Sequence, residues 1–199
     1  MTSFVTPIIG VIACGGNSSR MGTDKSLLVY HEIPQRYFLY DLIKSICENA
    51  YLSCNEKQAI QIKNGYGFII DKKEYNNFGP LSGLLSAFQE HPGKSILYIG
   101  CDYPFLTKIN LENLIHHRDV KYSAVCYVNS DTNVYEPLLA IYEYSCHPEL
   151  IKRFQEHKYS LREFLEQSKT LCIIPENNNF LRSIDTPSAY QSANRELKI

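Results

Sequence analysis

The feature that most constrains the fold is an alternation of short apolar runs with longer amphipathic stretches. Near-continuous apolar runs are typical of strands that are buried on both faces of a sheet. They predict strands at residues 7–13, 50–54, 67–70, 95–101, 123–128, 138–142 and 171–175. Apolar residues spaced i, i+3, i+4 predict helices at residues 34–49, 84–88, 111–116, 149–154 and 161–167. The sequence therefore predicts an α/β fold with a mostly parallel central sheet and helices on both faces.

Length and composition narrow the class of protein. The 199 residues contain no repeat, low-complexity tract or linker, so residues 1–199 are predicted to form a single domain. A net charge of −1 argues against a general nucleic-acid-binding protein, which needs clustered Lys and Arg. No apolar run approaches the roughly 18 residues of a membrane helix, and no signal peptide is recognisable at the N-terminus. The seven scattered cysteines form no CxxC pair, which is typical of reduced, packed thiols. We therefore expect a cytoplasmic protein that binds neither membranes nor nucleic acid.

The loop after the first predicted strand carries the strongest chemical signal. Residues 15–25 read GGNSSRMGTDK, and the paired glycines Gly15 and Gly16 let backbone N–H groups approach an anion closely. Arg20 and Lys25 add two cations that match a triphosphate. The spacing is neither that of a P-loop nor that of a GxGxxG dinucleotide site. A flexible turn with solvated charges is the alternative, but the complete set of residues after a buried strand favours triphosphate binding.

A second candidate site follows the strand predicted at residues 95–101. Asp102 stands directly after this strand, where ligands bind in parallel α/β sheets. Mg²⁺ prefers one or two carboxylates together with substrate phosphates, so Asp102 is a candidate metal ligand. An aspartate that only caps a turn is an equally common alternative. A triphosphate bound by the first loop is expected to carry a metal ion, which favours Asp102 as a metal ligand over Asp102 as a turn cap.

Several motifs resemble one known family. Residues 13–28, ACGGNSSRMGTDKSLL, resemble the signature LAGGxSxRMGxDKxxL of the molybdenum cofactor guanylyltransferases. Residues 79–84 resemble the GPLxG segment of that family, residues 101–105 its CDxPF motif and residues 183–187 its late NxNTP segment. The resemblance implies a Rossmann-like nucleotidyltransferase fold. It also implies Mg²⁺-dependent transfer of GMP from GTP to molybdopterin, with release of pyrophosphate.

The resemblance also implies roles for individual residues. Arg20, Lys25 and Asp102 correspond to the catalytic positions, where the two cations would stabilise the leaving pyrophosphate. Asp102 would hold the metal, with Asp185 as a further candidate carboxylate. The residues implied to bind the nucleotide are Ala13, Cys14, Gly15, Gly16, Lys25, Asn55, Asp71 and Asp102.

Some positions depart from the pattern of the family. Ala13 and Cys14 replace a Leu-Ala pair beside the expected base site, and we interpret Cys14 as a packed residue rather than a nucleophile. Ser183 and Asp185 replace an asparagine pair, which changes the pterin side or adds a carboxylate for the metal. Arg162 is a candidate contact for the pterin or a phosphate, although a solvated helix arginine is the more common case.

Two other functions remain open at this point. The first is cytidylyl transfer to molybdopterin, or to a sugar or isoprenoid phosphate, because binding of phosphates does not select the base. The second is an inactive, nucleotide-binding regulatory protein, which the presence of Arg20, Lys25 and Asp102 argues against. The resemblance names GTP and molybdopterin as the small-molecule substrates. It also implies transient contacts with other proteins of molybdenum cofactor biosynthesis.

Overall fold

The computed structural model describes residues 7–15 and 24–198. Its strands are β1 (Ile8–Ala13), β2 (Val29–His31), β3 (Ile33–Pro34), β4 (Ala50–Cys54), β5 (Phe68–Ile70), β6 (Ser95–Gly100), β7 (Ala124–Asn129), β8 (Val134–Tyr142) and β9 (Thr170–Ile173). Its helices are α1 (Gln35–Lys44), α2 (Glu56–Ala59), α3 (Pro80–Glu90), α4 (Lys108–His116), α5 (His147–Gln155), α6 (Leu161–Gln167) and α7 (Pro187–Leu197).

Seven of these strands form one central sheet in the order β5-β4-β1-β6-β8-β7-β9. Strand β8 runs antiparallel to both of its neighbours, and the other pairings of this sheet are parallel. The predicted mostly parallel sheet is therefore confirmed. Strands β2 and β3 form a separate antiparallel ribbon.

Helices cover both faces of the sheet, as the apolar pattern predicts. One buried cluster joins the sheet to α3, α5 and α6, through residues such as Leu84, Leu150 and Phe164. A second cluster joins the opposite face to α1 and α4, through residues such as Leu39 and Leu111. Burial on both sides explains why the inner strands β1, β4 and β6 are almost continuously apolar, whereas the edge strands β5 and β9 are partly exposed.

Several element boundaries differ from the predicted ones. Helix α1 ends at Lys44 instead of reaching residue 49, because the N–H groups of Ile46 and Cys47 both turn back to the carbonyl of Ile43. Helix α3 begins already at Pro80, where a proline costs no hydrogen bond in the first turn. Strand β8 begins before Pro137, which lies where the register with β7 shifts. A proline is tolerated at such a bulge because the ladder needs no N–H there.

The ribbon β2–β3 and the helix α7 were not predicted. Helix α7 packs beside β2, where Ala193 joins a small buried cluster with Tyr30 and Ile184. None of the described helices combines the length and the apolar content that crossing a lipid bilayer requires. All seven cysteines are free thiols, and five of them are buried, as expected of packed residues.

Candidate active site

Four neighbouring strands end at the same edge of the sheet and bring predicted site residues together. Because β1, β4, β5 and β6 are parallel and adjacent, their carboxyl ends lie side by side. Gly15 lies two residues beyond the end of β1, and Asn55 and Asp71 directly follow β4 and β5. Asp102 lies two residues beyond the end of β6. Residues that are far apart in the sequence therefore line one cleft.

A polar pocket of about 290 Å³ opens at this edge. Asparagines, glycines, a serine and one carboxylate form its wall. Its lining residues are Gly15, Asn55, Asp71, Asn76, Asn77, Gly79 and Ser82. Three of the predicted nucleotide-binding residues therefore share one pocket, and the loop before α3 and the first turn of α3 supply its remaining wall.

Asp71 is the carboxylate of this pocket. The Ser53 hydroxyl donates to Asp71 Oδ1 at 2.8 Å. A Cβ atom at position 15 would lie 3.3 Å from Asp71 Oδ2, so the glycine there keeps the backbone of the loop close to the carboxylate. Burial raises the pKa of Asp71 to about 6, against the opposing effect of the Ser53 hydrogen bond. The pocket therefore holds a carboxylate whose charged form is poorly solvated.

The side-chain oxygen of Asn55 is engaged in a hydrogen bond within the protein. Asn55 Oδ1 accepts from the N–H of Gln58 at 2.9 Å, and Gln58 Oε1 accepts from the N–H of Asn55 at 3.1 Å. This reciprocal arrangement is a capping box at the start of α2. The Nδ2 amino group of Asn55 is therefore the part of the side chain that can donate to a ligand in the pocket.

Gln58 connects the two ends of the loop that the sequence singles out. Its Nε2 donates to the carbonyl of Cys14 at 2.9 Å and to Asp24 Oδ2 at 2.8 Å. Asp24 Oδ1 in turn accepts from the N–H of Ser26 and caps a short 3₁₀ helix. Sequence analysis missed Gln58, although the spacing Asn55-x-x-Gln58 after a predicted strand is a recognisable capping signal.

A second group of polar side chains surrounds Asp102. The Ser183 hydroxyl donates to Asp102 Oδ2 at 2.6 Å and lies 3.5 Å from Asp185 Oδ2. Asp185 Oδ1 forms an ion pair with Lys25 Nζ. The N–H of Ile184 donates to the carbonyl of Asp102 at 3.0 Å, which holds the late segment against the end of β6. The structure therefore places Lys25, Asp102 and Asp185 in one cluster.

Asp102 itself sits tightly against the end of its strand. A Cβ atom at position 100 would lie 2.5 Å from Asp102 Oδ1, so Gly100 makes room for the carboxylate. Asp102 Oδ1 is buried and has no hydrogen-bond partner among the described residues. Burial raises the pKa of Asp102, while the Ser183 hydrogen bond and the charge of Lys25 oppose that change. A buried carboxylate oxygen without a donor is a place where a cation would lower the free energy of the site.

A further cluster lies beyond Asp102, on the side of β8. The Tyr103 hydroxyl donates to Glu136 Oε2 at 2.9 Å. Burial raises the pKa of Glu136, the nearby guanidinium of Arg162 opposes this change, and the charge of Asp102 adds to it. The charges of Arg162 and Asp102 therefore both act on the carboxylate of Glu136.

Comparison with known proteins identifies the family. The family described as MobA-like NTP transferase domain matches residues 10–171. The chain belongs to this family. It is therefore an enzyme of the nucleotidyltransferase class.

Individual relatives agree with this assignment. The chain is 30% identical over 195 residues to the molybdenum cofactor biosynthesis bifunctional protein of Synechocystis sp., covering 95% of the chain and 54% of that protein. The chain thus spans about half the length of that relative. It is 25% identical over 189 residues to the molybdenum cofactor guanylyltransferase of Campylobacter jejuni subsp. doylei, covering 94% of the chain and 96% of that enzyme.

A solved structure shows the same fold. Molybdopterin-guanine dinucleotide biosynthesis protein A of Archaeoglobus fulgidus superposes with a TM-score of 0.79 at 20% identity. The alignment covers 96% of this chain and 98% of that one.

The remaining predicted residues of this MobA-like enzyme lie at or near the first loop. Gly16 and Arg20 lie outside the described residues, and their roles stay predictions. Ala13 is the last residue of β1, and its side chain belongs to the core. Cys14 is buried, and burial raises the pKa of its thiol well above the ordinary value. A thiol that keeps its proton is a poor nucleophile, which agrees with the interpretation of Cys14 as a packed residue.

The residues around Asp102 also determine which metal the site suits. Within residues 7–15 and 24–198, no group of three or more His, Cys, Asp or Glu is placed to hold a metal ion. Asp102 and Asp185 instead offer two carboxylates linked through Ser183. Two carboxylates completed by substrate phosphates are the oxygen ligand set that Mg²⁺ prefers. The donor set therefore fits Mg²⁺ better than a soft metal that needs thiolates or imidazoles.

Proposed function

We propose that this MobA-like enzyme transfers the GMP moiety of GTP to molybdopterin and releases pyrophosphate in a Mg²⁺-dependent reaction. The observation that carries the proposal is the position of Asp71 in a polar pocket at the same edge of the sheet as the cluster of Lys25, Asp102 and Asp185. One edge of the sheet then offers both a base-recognition group and a phosphate-recognition group. The relative from Campylobacter jejuni subsp. doylei is named a molybdenum cofactor guanylyltransferase, which supports the same reaction.

We propose that the polar pocket around Asp71 binds the base, and we call it the base pocket. A carboxylate in this pocket favours guanine. The Watson–Crick edge of guanine presents two adjacent N–H donors, and an ionised carboxylate offers acceptor positions on both of its oxygens. Cytosine presents one amino donor beside ring acceptors, which a carboxylate would face with like charge. Asp71 Oδ1 accepts a single hydrogen bond from Ser53, so both oxygens keep acceptor capacity. A site built to accept N–H groups discriminates against ligands that lack them.

The phosphates would lie between the first loop and Asp102. Lys25 now pairs with Asp185, and a triphosphate would compete for the same ammonium group. Arg20 adds the second cation of the motif. Asp102 and Asp185 would hold Mg²⁺, which when bound shields the negative charges of the phosphates from one another.

The reaction itself needs no side-chain nucleophile. A terminal phosphate oxygen of molybdopterin attacks the α-phosphorus of GTP in line and forms a new phosphoanhydride bond. The bond from the α-phosphorus to the oxygen that bridges to the β-phosphorus breaks, and its electron pair leaves with pyrophosphate. Lys25 and Arg20 would stabilise the charge that grows on this leaving group. The attacking phosphate is already an anion, so a general base is not required.

Thermal shift measurements test the choice of base. With Mg²⁺ present, we expect GTP to stabilise the protein more than CTP, ATP or UTP. At a GTP concentration of about a hundred times its Kd, the stabilisation by GTP should be about 2.7 kcal/mol. In the variant Asp71→Asn this preference for GTP should disappear, whereas the exposed control Asp131→Asn should keep it. Equal shifts with all four nucleotides would refute the guanine assignment. The largest shift with CTP would support a cytidylyltransferase instead.

An activity assay tests the transfer. Pyrophosphate release should require GTP, Mg²⁺ and molybdopterin together, and Asp102→Asn should abolish it without lowering the melting temperature. If Asp102→Asn keeps wild-type activity, Asp102 does not hold the metal. If the wild type binds GTP but never releases pyrophosphate, the chain is an inactive nucleotide-binding protein.

A further inference from the structure

The order of strands divides the edge of the sheet into two halves. Strands β5, β4 and β1 carry the base pocket on one side of β6, and β8, β7 and β9 lie on its other side. Asp102 follows β6 and therefore stands at the division. In an in-line displacement the attacking group and the leaving pyrophosphate lie on opposite sides of the α-phosphorus. The half beyond β6 is therefore the place where the acceptor can approach.

Two charged side chains of this half, Glu136 and Arg162, lie on β8 and on the helix that packs against it. Glu136 lies near the beginning of β8, which starts at this edge because β8 runs antiparallel to β6. Arg162 lies in the first turn of α6, and α6 packs against β8. Tyr103 follows Asp102 directly and donates to Glu136 Oε2, so Glu136 lies beside the end of β6, and α6 holds Arg162 against the same strand β8. We refer to Asp102, Tyr103, Glu136 and Arg162 as one cluster.

The carboxylate of Glu136 is only partly used by the protein. Tyr103 donates to Oε2, and no described residue donates to Oε1. Glu136 is half-buried, and Oε1 is not among the fully buried atoms that lack a partner, so this oxygen is not fully enclosed by the described residues. Arg162 is exposed, and its side chain has no hydrogen bond or ion pair within the described part of the chain. The cluster therefore offers one accessible acceptor and one accessible cation.

We infer that Glu136 and Arg162 bind the acceptor substrate and that Glu136 selects its ring. This inference rests on the proposed function. A pterin carries an amino group beside a ring N–H, and a carboxylate accepts from such a pair of donors. The guanidinium of Arg162 binds the negative charge of the same substrate. Two carboxylates would then recognise two similar heterocycles: Asp71 would bind guanine on one side of β6, and Glu136 would bind the pterin on the other side.

A purely structural role for Glu136 makes different predictions. If Glu136 only holds Tyr103, glutamine is an adequate substitute, because its carbonyl oxygen accepts from the tyrosine hydroxyl equally well. Tyr103→Phe would then be the more harmful change, because it removes that hydrogen bond. If Glu136 recognises the acceptor, the loss of its charge matters and the loss of the tyrosine hydroxyl matters less.

Steady-state kinetics with separate variation of GTP and molybdopterin distinguishes the two roles. We expect Glu136→Gln to raise the KM for molybdopterin at least tenfold, with an unchanged KM for GTP and an unchanged melting temperature. Tyr103→Phe should change that KM less than threefold. Arg162→Gln should also raise the KM for molybdopterin, whereas Arg195→Gln on the exposed face of α7 should not.

The outcomes separate this inference from the function on which it rests. A wild-type protein that transfers GMP, together with a Glu136→Gln variant of wild-type KM, overturns the role of Glu136 and leaves the proposed function intact. A larger effect of Tyr103→Phe than of Glu136→Gln likewise overturns it in favour of the structural role. A wild-type protein that does not use molybdopterin at all overturns both.

Discussion

Replacing Asp71 by asparagine tests whether the buried charge of Asp71 lowers the free energy of unfolding. Burial raises the pKa of Asp71 from its ordinary value of 3.8 to about 6. Between these two pH values the folded protein binds more protons than the unfolded chain, so stability falls as the pH rises. Above pH 6 the whole cost of the buried charge is present. Asparagine has the same shape, keeps a hydrogen bond with Ser53 and carries no charge.

The magnitude follows from the difference between the two pKa values. About two pH units at 1.36 kcal/mol each set an upper limit of about 3 kcal/mol. The side chain is partly exposed, and solvent screening reduces this limit, so we expect Asp71→Asn to stabilise the protein by about 1–2 kcal/mol at pH 7.5. Near pH 4.5 the gain should shrink to roughly a third, because much of the native carboxylate is then already protonated.

Urea unfolding at pH 4.5 and at pH 7.5 measures both values. Asp131→Asn is the matched control, because Asp131 is exposed in the turn between β7 and β8, and its stability should change by less than about 0.5 kcal/mol. An Asp71→Asn variant that is less stable than the wild type at pH 7.5 would refute the reasoning. A gain of equal size at both pH values would refute it too, since the effect would then not come from ionisation.

The same titration should appear in ligand binding. In the proposed function Asp71 would accept N–H groups from guanine as a carboxylate, so we expect the affinity of the wild type for GTP to fall as the pH is lowered through about 6. Calorimetric titration with GTP over this range measures the effect. Asp71→Asn should bind GTP weakly at every pH, and a variant that retains the pH dependence would assign the titration to another group.

Three further substitutions test other parts of the structure. Gln58→Leu removes the two hydrogen bonds that join the ends of the first loop, each worth about 1 kcal/mol, and should raise the KM for GTP about tenfold. A variant with an unchanged KM would show that the loop holds its place without them. Arg118→Met leaves Glu143 buried without its bidentate partner and should destabilise the fold by about 3–5 kcal/mol in urea unfolding. Replacing both residues by methionine should recover most of that loss, and failure to recover would argue against an uncompensated charge. Gly100→Ala places a Cβ atom 2.5 Å from the Asp102 carboxylate and should lower kcat for pyrophosphate release at least tenfold, so an unchanged kcat would contradict the required position of that side chain.

The local pattern of the sequence predicted the elements of the central sheet. The inner strands β1, β4 and β6 are mostly apolar because they are buried on both faces, and this property is visible in a short run of residues. The ribbon β2–β3 and helix α7 lack such a pattern. Ala193 is fully buried in α7, and it packs in a small cluster with Tyr30 and Ile184, while Tyr190 and Asn194 donate to the carbonyl of Val29. Stabilisation of these elements comes from tertiary contacts, which local periodicity does not record.

For the site, the sequence by itself determined which residues can carry charge and how close the backbone can approach a ligand. The glycines and cations of residues 15–25 and the carboxylate after β6 were recognisable because their chemistry follows from residue type and position after a strand. Only the tertiary structure decided which of these groups meet. In the folded chain Lys25 forms an ion pair with Asp185, and the Asp71 carboxylate lies close to Gly15. Gln58 donates to both ends of the first loop. These contacts join residues from different strand ends, and their distances depend on the order and register of the strands rather than on separation along the chain.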